Sequence, residues 1–373
     1  MSKLSSYSIR RLTTSSMNLF EYLDYRGDTP FSQVAFGEVD NLILSEICYL
    51  DNEHLVSSYP TDQVDALGEV VNRFFFLHKK ETINLGLIVP SQIVDLTEKV
   101  GGLTRYRNIG VSNYVCSIDH GANFKQFSAI TFLIGEDLMY IALRGTDDTL
   151  AGWHENLHLM CTMHVPAALE AVAYVNKVAS LFPTRRIIIG GHSKGGYLST
   201  YAGVYCEDTV QDRIVKVYSN DGPGYAKSVI DRTRLKRILP RMVSIVPTGS
   251  VVGLLFDYEG ERVVISSTYK GLYQHDGLSW EVDGDTFVRR DSIDAGAITA
   301  SSQSAEFISS LTTEQKLGFL TDIEQFIRST NKHTLLDVSK DFIKVLLSSS
   351  KLKFKNVRLL LRFVGILFKN KVL

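Results

Sequence analysis

Two patterns of hydrophobic and polar positions divide the chain. From residue 18 to about residue 116, apolar residues recur mostly at three-to-four spacing, which predicts helices. Beyond that point, short runs rich in β-branched and aromatic residues predict strands, the first two joined by a short turn. The runs lie at residues 124–134, 138–143, 186–190, 213–219, 241–246 and 262–267.

Helical stretches lie between the later strands. The first is at residues 167–182, the second runs from a glycine-rich corner to about residue 205, and the third is at residues 226–238. Strands that alternate with helices indicate a mainly parallel sheet in a three-layer α/β fold. We therefore predict one α/β domain over residues 17–300, with additional helical regions at both ends. Residues 1–16 are expected to be a flexible N-terminus, and residues 301–373 a helical C-terminal region without strands.

The helical N-terminal part includes a segment at about 52–115 that is predicted to extend or cap the sheet. Within it, residues 74–96 form an apolar helical stretch outside the strand pattern. Two interpretations stay open for this stretch. It is either a lid that lines a binding pocket beside the sheet or, as the pattern favours, core packing on the edge of the sheet.

The C-terminal residues 351–373 separate a basic face from an apolar face of one predicted helix. The polar stripe consists of Lys351, Lys355, Arg358, Arg362, Gly365 and Lys369. A basic amphipathic helix is typical of segments that lie on a membrane surface or bind a partner. The alternative is a terminal helix that packs its apolar face on the domain.

Composition narrows the possible classes of protein. The chain has 373 residues, 45% hydrophobic and 22% charged, and can bury a substantial core. Its 40 Lys and Arg residues nearly balance 41 Asp and Glu residues, which argues against nucleic acid as a partner. Four widely spaced cysteines without a CxxC pair favour reduced thiols over disulfides or a zinc site. Without a signal peptide or a membrane-spanning stretch, we expect a cytoplasmic protein, peripheral to a membrane if the tail binds one.

The strand at 186–190 leads into a corner that carries candidate chemistry. Gly191, His192, Ser193, Lys194 and Gly195 fit G-x-S-x-G, and strand, turn and helix follow in the order that this nucleophile elbow requires. A serine on such a strained turn is exposed at a helix N-terminus, and larger neighbours would collide with the strand and the helix. The alternatives are a glycine-rich turn without chemistry and a phosphate-binding turn, although no G-x-x-x-x-G-K-[ST] motif is present.

A serine nucleophile needs a general base, and in this fold class the histidine follows the serine in the chain. Only His275 and His333 lie downstream. His275 lies in a loop after a predicted strand and is the candidate base, whereas His333 lies in the helical C-terminal region and is expected to be solvated. His192 is expected to pack under the turn, because adjacent residues of an elbow point apart.

The base in turn needs an acid that orients it. Asp221, in the stretch 218–224, follows the first strand after the serine helix and is the candidate. The alternative role for Asp221 is that of a turn residue in Asn-Asp-Gly. Asp257 and Asp276 are other candidates for the acid, although the position of Asp276 next to the base makes a productive approach difficult.

An oxyanion hole needs a second N–H donor from an earlier strand end. The stretch 143–157 places Arg144, Gly145 and Thr146 after the strand at 138–143. The main-chain N–H groups of Thr146 and Lys194 are the candidate pair. Alternatively, the stretch is an ordinary strand end at which Arg144 pairs with an acid.

These pieces together resemble the class 3 lipases, a branch of the α/β-hydrolases, and more closely the Mbeg-like group of bacterial hydrolase-fold proteins. The class 3 features are LRGT (143–146), GW (152–153), GHSKGG (191–196) and His275. The Mbeg-like features are YRGDTPF (25–31), FGEVDNLILSEICYLD (36–51), RGTDDTLAGW (144–153), GGHSKGGYLS (190–199), NDGPGY (220–225), IVPTGSVVGLL (245–255) and QHDGLSW (274–280). The resemblance covers about residues 17–290 and implies Ser193 as nucleophile, His275 as base, and Thr146 and Lys194 as oxyanion donors.

One departure concerns the acid. Class 3 lipases carry an aspartate near a V-P pair, and the matching stretch 244–253 has none. The equivalent positions are Gly249 or Ser250, which moves the prediction to Asp221 and leaves a dyad or a weakly catalytic fold open. The first hypothesis is thus a serine hydrolase for apolar esters such as acyl lipids, which needs no metal or organic cofactor. The second is a hydrolase-fold scaffold that binds a partner or a membrane.

Overall fold

The computed structural model describes residues 16–121, 124–159, 162–225, 230–330 and 332–340. The predicted flexible N-terminus, apart from residue 16, and the basic tail at 351–373 lie outside the described residues, so both remain predictions.

An eight-stranded sheet forms the centre of the molecule, and its strands are ordered as they occur in the chain. They are β1 Asp65–Ala66, β2 Gly110–Asp119, β3 Lys125–Ile134, β4 Leu138–Leu143, β5 Arg186–His192, β6 Ile214–Asn220, β7 Met242–Pro247 and β8 Glu261–Ile265. Strands β1 to β4 pair antiparallel, and β4 to β8 pair parallel. A separate hairpin joins β9 Val282–Asp283 and β10 Thr286–Phe287.

Twelve α-helices are present among the described residues. They are α1 Leu19–Arg26, α2 Glu38–Ile47, α3 Leu67–Leu77, α4 Gln92–Gly102, α5 Leu150–Leu159, α6 Pro166–Leu181, α7 Lys194–Tyr205, α8 Asp208–Gln211, α9 Arg232–Ile238, α10 Ala295–Ser310, α11 Thr313–Thr330 and α12 Leu335–Lys340. None of these is long and apolar enough to cross a bilayer.

The period-two alternation of strand side chains separates two hydrophobic cores. Ile188 of β5 belongs to the core on one face, which includes buried residues of α1, α2, α3 and α4. Its neighbours Ile187 and Ile189 belong to the core on the other face, which includes buried residues of α6 and α7. Helices therefore cover both faces of a mainly parallel sheet. This is the predicted three-layer arrangement, and with the strand–turn–helix corner at Ser193 the chain has the α/β-hydrolase fold.

The region predicted to be mainly helical also contains two strands, β1 and β2. The hydrophobic pattern of β2 hides its strand character, because its register with β3 shifts between Ser112 and Val115. Asn113 within this irregularity has a positive φ of 57°, which breaks the alternation of side chains along the strand. A pattern with such an interruption does not show period two.

The apolar stretch at 74–96 divides between core and surface. Phe74, Val89 and Ile93 are buried in the core shared with α1 and α2. Phe76 and Leu87, in contrast, are 88% and 55% exposed. The stretch thus supplies core contacts, as the favoured interpretation has it, and also presents apolar side chains to solvent.

Candidate active site

Ser193 occupies the corner between β5 and α7 in the left-handed region of backbone space, with φ of 56° and ψ of −126°. Its main-chain N–H donates to the carbonyl of Asn220 at the end of β6 over 2.9 Å. A Cβ atom built on Gly191 or Gly195 would overlap the main-chain oxygen of Leu143 on β4. Only glycine fits these two positions, so the backbone around the half-buried serine has little freedom to relax.

His275 ends a short 3₁₀ helix, Gly271–His275, and its Nδ1 lies 2.6 Å from Oδ2 of Asp221. Asp221 directly follows β6, is fully buried and has φ of 48°. Its other oxygen, Oδ1, accepts hydrogen bonds from the Ser250 hydroxyl and, over 3.2 Å, from the Gly253 N–H. These donors satisfy a carboxylate that is buried away from water.

Ser250 lies in the stretch where the class 3 lipase pattern has its aspartate. Here the Ser250 hydroxyl donates to Asp221, so the position of the class 3 aspartate and the predicted acid are in direct contact. The alternative acid Asp276 accepts a hydrogen bond from the N–H of Leu278 over 2.9 Å. Asp257 pairs through its main chain with Tyr225. Of the three candidate carboxylates, the structure brings that of Asp221 to the imidazole of His275.

His192 is buried beneath the turn, with its ring centre 4.7 Å from that of His275. Its Nε2 lies 2.7 Å from the main-chain oxygen of His275, and its Nδ1 lies 3.4 Å from Oε1 of the buried Glu46. Burial, reinforced by His275, lowers the pKa of His192 to about 3. A neutral ring that faces a carbonyl with Nε2 carries its proton there, so Nδ1 is the acceptor.

Glu46 had no signal in the sequence, because it lies on the buried face of α2. Burial, with a smaller contribution from Asp276, raises the pKa of Glu46 well above its usual value. His192, with its low pKa, is uncharged near neutral pH. The His192 ring thus supports the main-chain oxygen of His275, and Glu46 lies on the other side of that ring.

The two predicted oxyanion donors lie at adjacent strand ends. Thr146 follows β4 and Lys194 begins α7, and both residues are buried. Within the described residues, neither main-chain N–H has a hydrogen-bond acceptor. The Thr146 hydroxyl interacts with the side chain of Asn156 over 2.8 Å. Arg144 pairs with Asp147 at 2.9 Å, so the ordinary strand-end pairing is present as well.

The side chain of Lys194 turns inward rather than toward solvent. Its Nζ donates to the main-chain oxygen and Oε1 of Gln126 and to Oε2 of Glu155, at 2.6–2.8 Å. Burial lowers the pKa of Lys194, and Glu155 opposes that shift. Sequence patterns did not indicate Gln126 or Glu155, because each lies within an element whose residues read as ordinary core.

Ser193, Asp221 and Thr146 all follow the carboxyl ends of parallel strands, which is where α/β sheets place their binding sites. Across the described part of the chain, neither the Ser193 hydroxyl nor Nε2 of His275 has a hydrogen-bond partner. Bonds between catalytic groups are often open without substrate and close in the complex. The other downstream histidine, His333, is exposed and contacts the ring of His120 instead.

Comparisons with known proteins complete this description. A fungal lipase solved in complex with an inhibitor is 12% identical, with 69% of this chain and 83% of that chain covered and a TM-score of 0.37. Lip2 lipase from Yarrowia lipolytica is 13% identical, with coverage of 76% and 90% and a TM-score of 0.38. Among curated proteins, none matches the chain in sequence. The model of the Mbeg1-like family matches residues 100–324, which is more than half of the chain, so the protein belongs to the Mbeg1-like family.

Proposed function

We propose that the protein is a serine hydrolase that cleaves carboxylic esters through an acyl-enzyme intermediate. The observation that carries this proposal is the 2.6 Å hydrogen bond between His275 and the buried Asp221, at the sheet edge that also bears the strained Ser193 corner. A histidine held by a buried carboxylate, at the sheet edge that carries a strained serine, is an arrangement that supports acyl transfer.

In this mechanism the Ser193 hydroxyl attacks the ester carbonyl while Nε2 of His275 takes its proton. Asp221 keeps the proton on Nδ1 of His275 and stabilises the imidazolium that forms. The N–H groups of Thr146 and Lys194 donate to the oxyanion, and His275 then protonates the leaving alcohol. Water, deprotonated by His275, attacks the acyl-enzyme and releases the acid.

The proposed substrates are apolar esters, including acyl lipids. The support comes from the loop between α3 and α4, which borders the strand end that carries Thr146. The Leu87 N–H of this loop donates to Asp148 over 3.0 Å. Leu87 and Ile88 are 55% and 47% exposed, so this loop presents apolar side chains to solvent. An exposed apolar loop that is bonded two residues after Thr146 fits an apolar substrate.

The test is hydrolysis of p-nitrophenyl esters of increasing acyl length by the wild-type protein and its Ser193→Ala variant. We expect turnover that depends on Ser193, and labelling of wild type but not variant by a fluorophosphonate probe, which needs an activated nucleophile. If both proteins are equally inert and no probe labels Ser193, the proposal is wrong. A catalytically weak scaffold that binds a partner or membrane then becomes the better hypothesis.

A further inference from the structure

A side chain fixes the orientation of the peptide bond between Gly145 and Thr146 by a hydrogen bond to its carbonyl. The main-chain oxygen of Gly145 accepts a hydrogen bond from the buried Gln126 side chain, with Nε2 at 3.2 Å. In a trans peptide, the carbonyl and the following N–H point in opposite directions. The bond from Gln126 therefore turns the Thr146 N–H away from the interior, where the Gln126 side chain lies.

Lys194 decides which end of the Gln126 amide faces this carbonyl. The Lys194 ammonium lies 2.6 Å from Oε1 and 2.8 Å from the main-chain oxygen of Gln126. An ammonium group only donates hydrogen bonds, so the amide oxygen must face Lys194. The NH₂ end is then left for Gly145, which is the orientation that the carbonyl of Gly145 requires.

Glu155 keeps this arrangement charged and fixed. Its Oε2 accepts from the Lys194 ammonium over 2.8 Å and from the Gln126 main-chain N–H over 3.2 Å. Its Oε1 accepts from the N–H of Ala167 over 2.8 Å. Because both members of a buried ion pair with these partners are hydrogen-bonded, the Lys194 side chain has little freedom to leave Gln126.

We propose that Gln126, oriented by Lys194, is a positioning residue that sets the oxyanion hole of this protein. We call the Gln126 amide and the Lys194 ammonium together the amide latch. The main-chain N–H of Lys194 is one oxyanion donor. The side chain of Lys194 orients the Gln126 amide, which in turn orients the other donor, the main-chain N–H of Thr146. The inference rests on the proposed function, since it assigns the latch to that reaction.

The first test compares Gln126→Met with a matched control, Gln211→Met. Gln211 is also fully buried, and its Nε2 donates to main-chain carbonyls, among them that of Gly203 at 3.0 Å, near the C-terminal end of α7. We expect Gln126→Met to lower kcat by about 100-fold or more with little change in KM, as loss of an oxyanion donor does. Gln211→Met should lower the melting temperature while leaving kcat near the wild-type value.

A second variant separates the donated bond from the burial of Lys194. At a pH where its carboxyl group is ionised, Gln126→Glu still offers oxygens to the ammonium but cannot donate to the carbonyl of Gly145. We expect its kcat to fall as far as that of Gln126→Met. A Gln126→Glu protein with wild-type kcat would overturn the latch, because the donated hydrogen bond would then have no effect on the reaction.

A third measurement does not depend on turnover. Crystal structures of the wild type and Gln126→Met are compared at the peptide between Gly145 and Thr146. A rotated or disordered peptide in the variant supports the latch, and an unchanged peptide overturns it. If the wild type shows no turnover that depends on Ser193, the proposed function fails on that result, and the orientation of this peptide still decides whether the latch exists.

Discussion

Two corners at the carboxyl edge of the sheet hold a non-glycine residue at positive φ, and they are stabilised in different ways. Ser193 has φ of 56° and Asp221 has φ of 48°. The Ser193 corner is enforced by steric contact, because glycine at positions 191 and 195 lies directly against the main chain of β4. The Asp221 corner is held by partners 29, 32 and 54 residues away, which are Ser250, Gly253 and His275.

The difference is between a corner fixed by steric contact and a corner fixed by hydrogen bonds. Steric constraint in the Ser193 corner is part of how two strands and a helix pack, so a change there disturbs the fold. The Asp221 corner consists of hydrogen bonds to one carboxylate, so a change there disturbs chemistry and leaves the packing in place. Substitutions in the two corners should therefore fail in different ways, one in stability and the other in kcat.

The largest effect is expected from Asp221→Asn, which changes the chemistry of its corner but not its shape. Asparagine tolerates positive φ, so the variant should fold. It no longer stabilises the imidazolium or fixes the proton on Nδ1 of His275. Known triads lose about 10⁴-fold in kcat on this change, or about 5.5 kcal/mol, and we expect a similar loss here. Steady-state kinetics on p-nitrophenyl esters, with a thermal melt of each protein, measures it.

Asp276→Asn is the matched control, because Asp276 adjoins His275 in the chain but its carboxylate accepts from Leu278. Its kcat should stay within about tenfold of wild type, since exposed or partly exposed caps act mainly on local structure. A larger kcat loss for Asp276→Asn than for Asp221→Asn would show that the assignment of the acid is wrong.

The next largest effect is expected from Gly195→Ala, which should lower the stability of the fold. The added methyl group would overlap the main-chain oxygen of Leu143, which cannot move without displacing β4. We expect the free energy of unfolding to fall by about 3 kcal/mol, measured by urea denaturation. Gly102→Ala at the end of α4 is the control, because its Cβ would meet no atom within 4 Å. That variant should be at least as stable as wild type, and equal stability of the two variants would remove the distinction between the corners.

Features that lie within one segment of the chain could be predicted from the sequence, whereas features that depend on distant contacts could not. All six strand-like runs form strands, because an apolar run followed by a turn is visible in a single segment. The family resemblance and the α/β-hydrolase fold are also confirmed. They could be predicted because G-x-S-x-G is a local pattern. The assignment of Ser193, His275, Asp221, Thr146 and Lys194 to catalytic roles stays a prediction until activity is measured.

The residues that sequence patterns missed are those whose importance depends on distant contacts. Gln126 on β3 reads as a strand residue, and only the fold brings it to Gly145 and Lys194. Glu46 likewise lies 146 positions before His192 in the chain, in a helix whose pattern predicts only packing. A buried polar residue in an apolar run is a signal that something must satisfy it, but the run does not identify the partner.

The smallest effect is expected from Ser250→Ala, which removes one of the donors to Asp221 and leaves the carboxylate itself in place. Asp221 keeps the bonds from Gly253 and His275. A hydrogen bond to a charged group contributes about 2 kcal/mol, so we expect the free energy of unfolding to fall by about that amount. The kcat should fall by about tenfold, far less than in Asp221→Asn, because the imidazolium is still stabilised.

Ser244→Ala is the control that makes this small effect interpretable. Ser244 is equally buried on β7, but its hydroxyl has no hydrogen-bond partner among the described residues. Removing an unsatisfied hydroxyl should be neutral or stabilising, and kcat should not change. If both serine variants lose the same stability and keep wild-type kcat, the bond from Ser250 contributes nothing specific to the acid. The Asp221 corner would then depend on Gly253 and His275 alone, and its long-range character would rest on two partners instead of three.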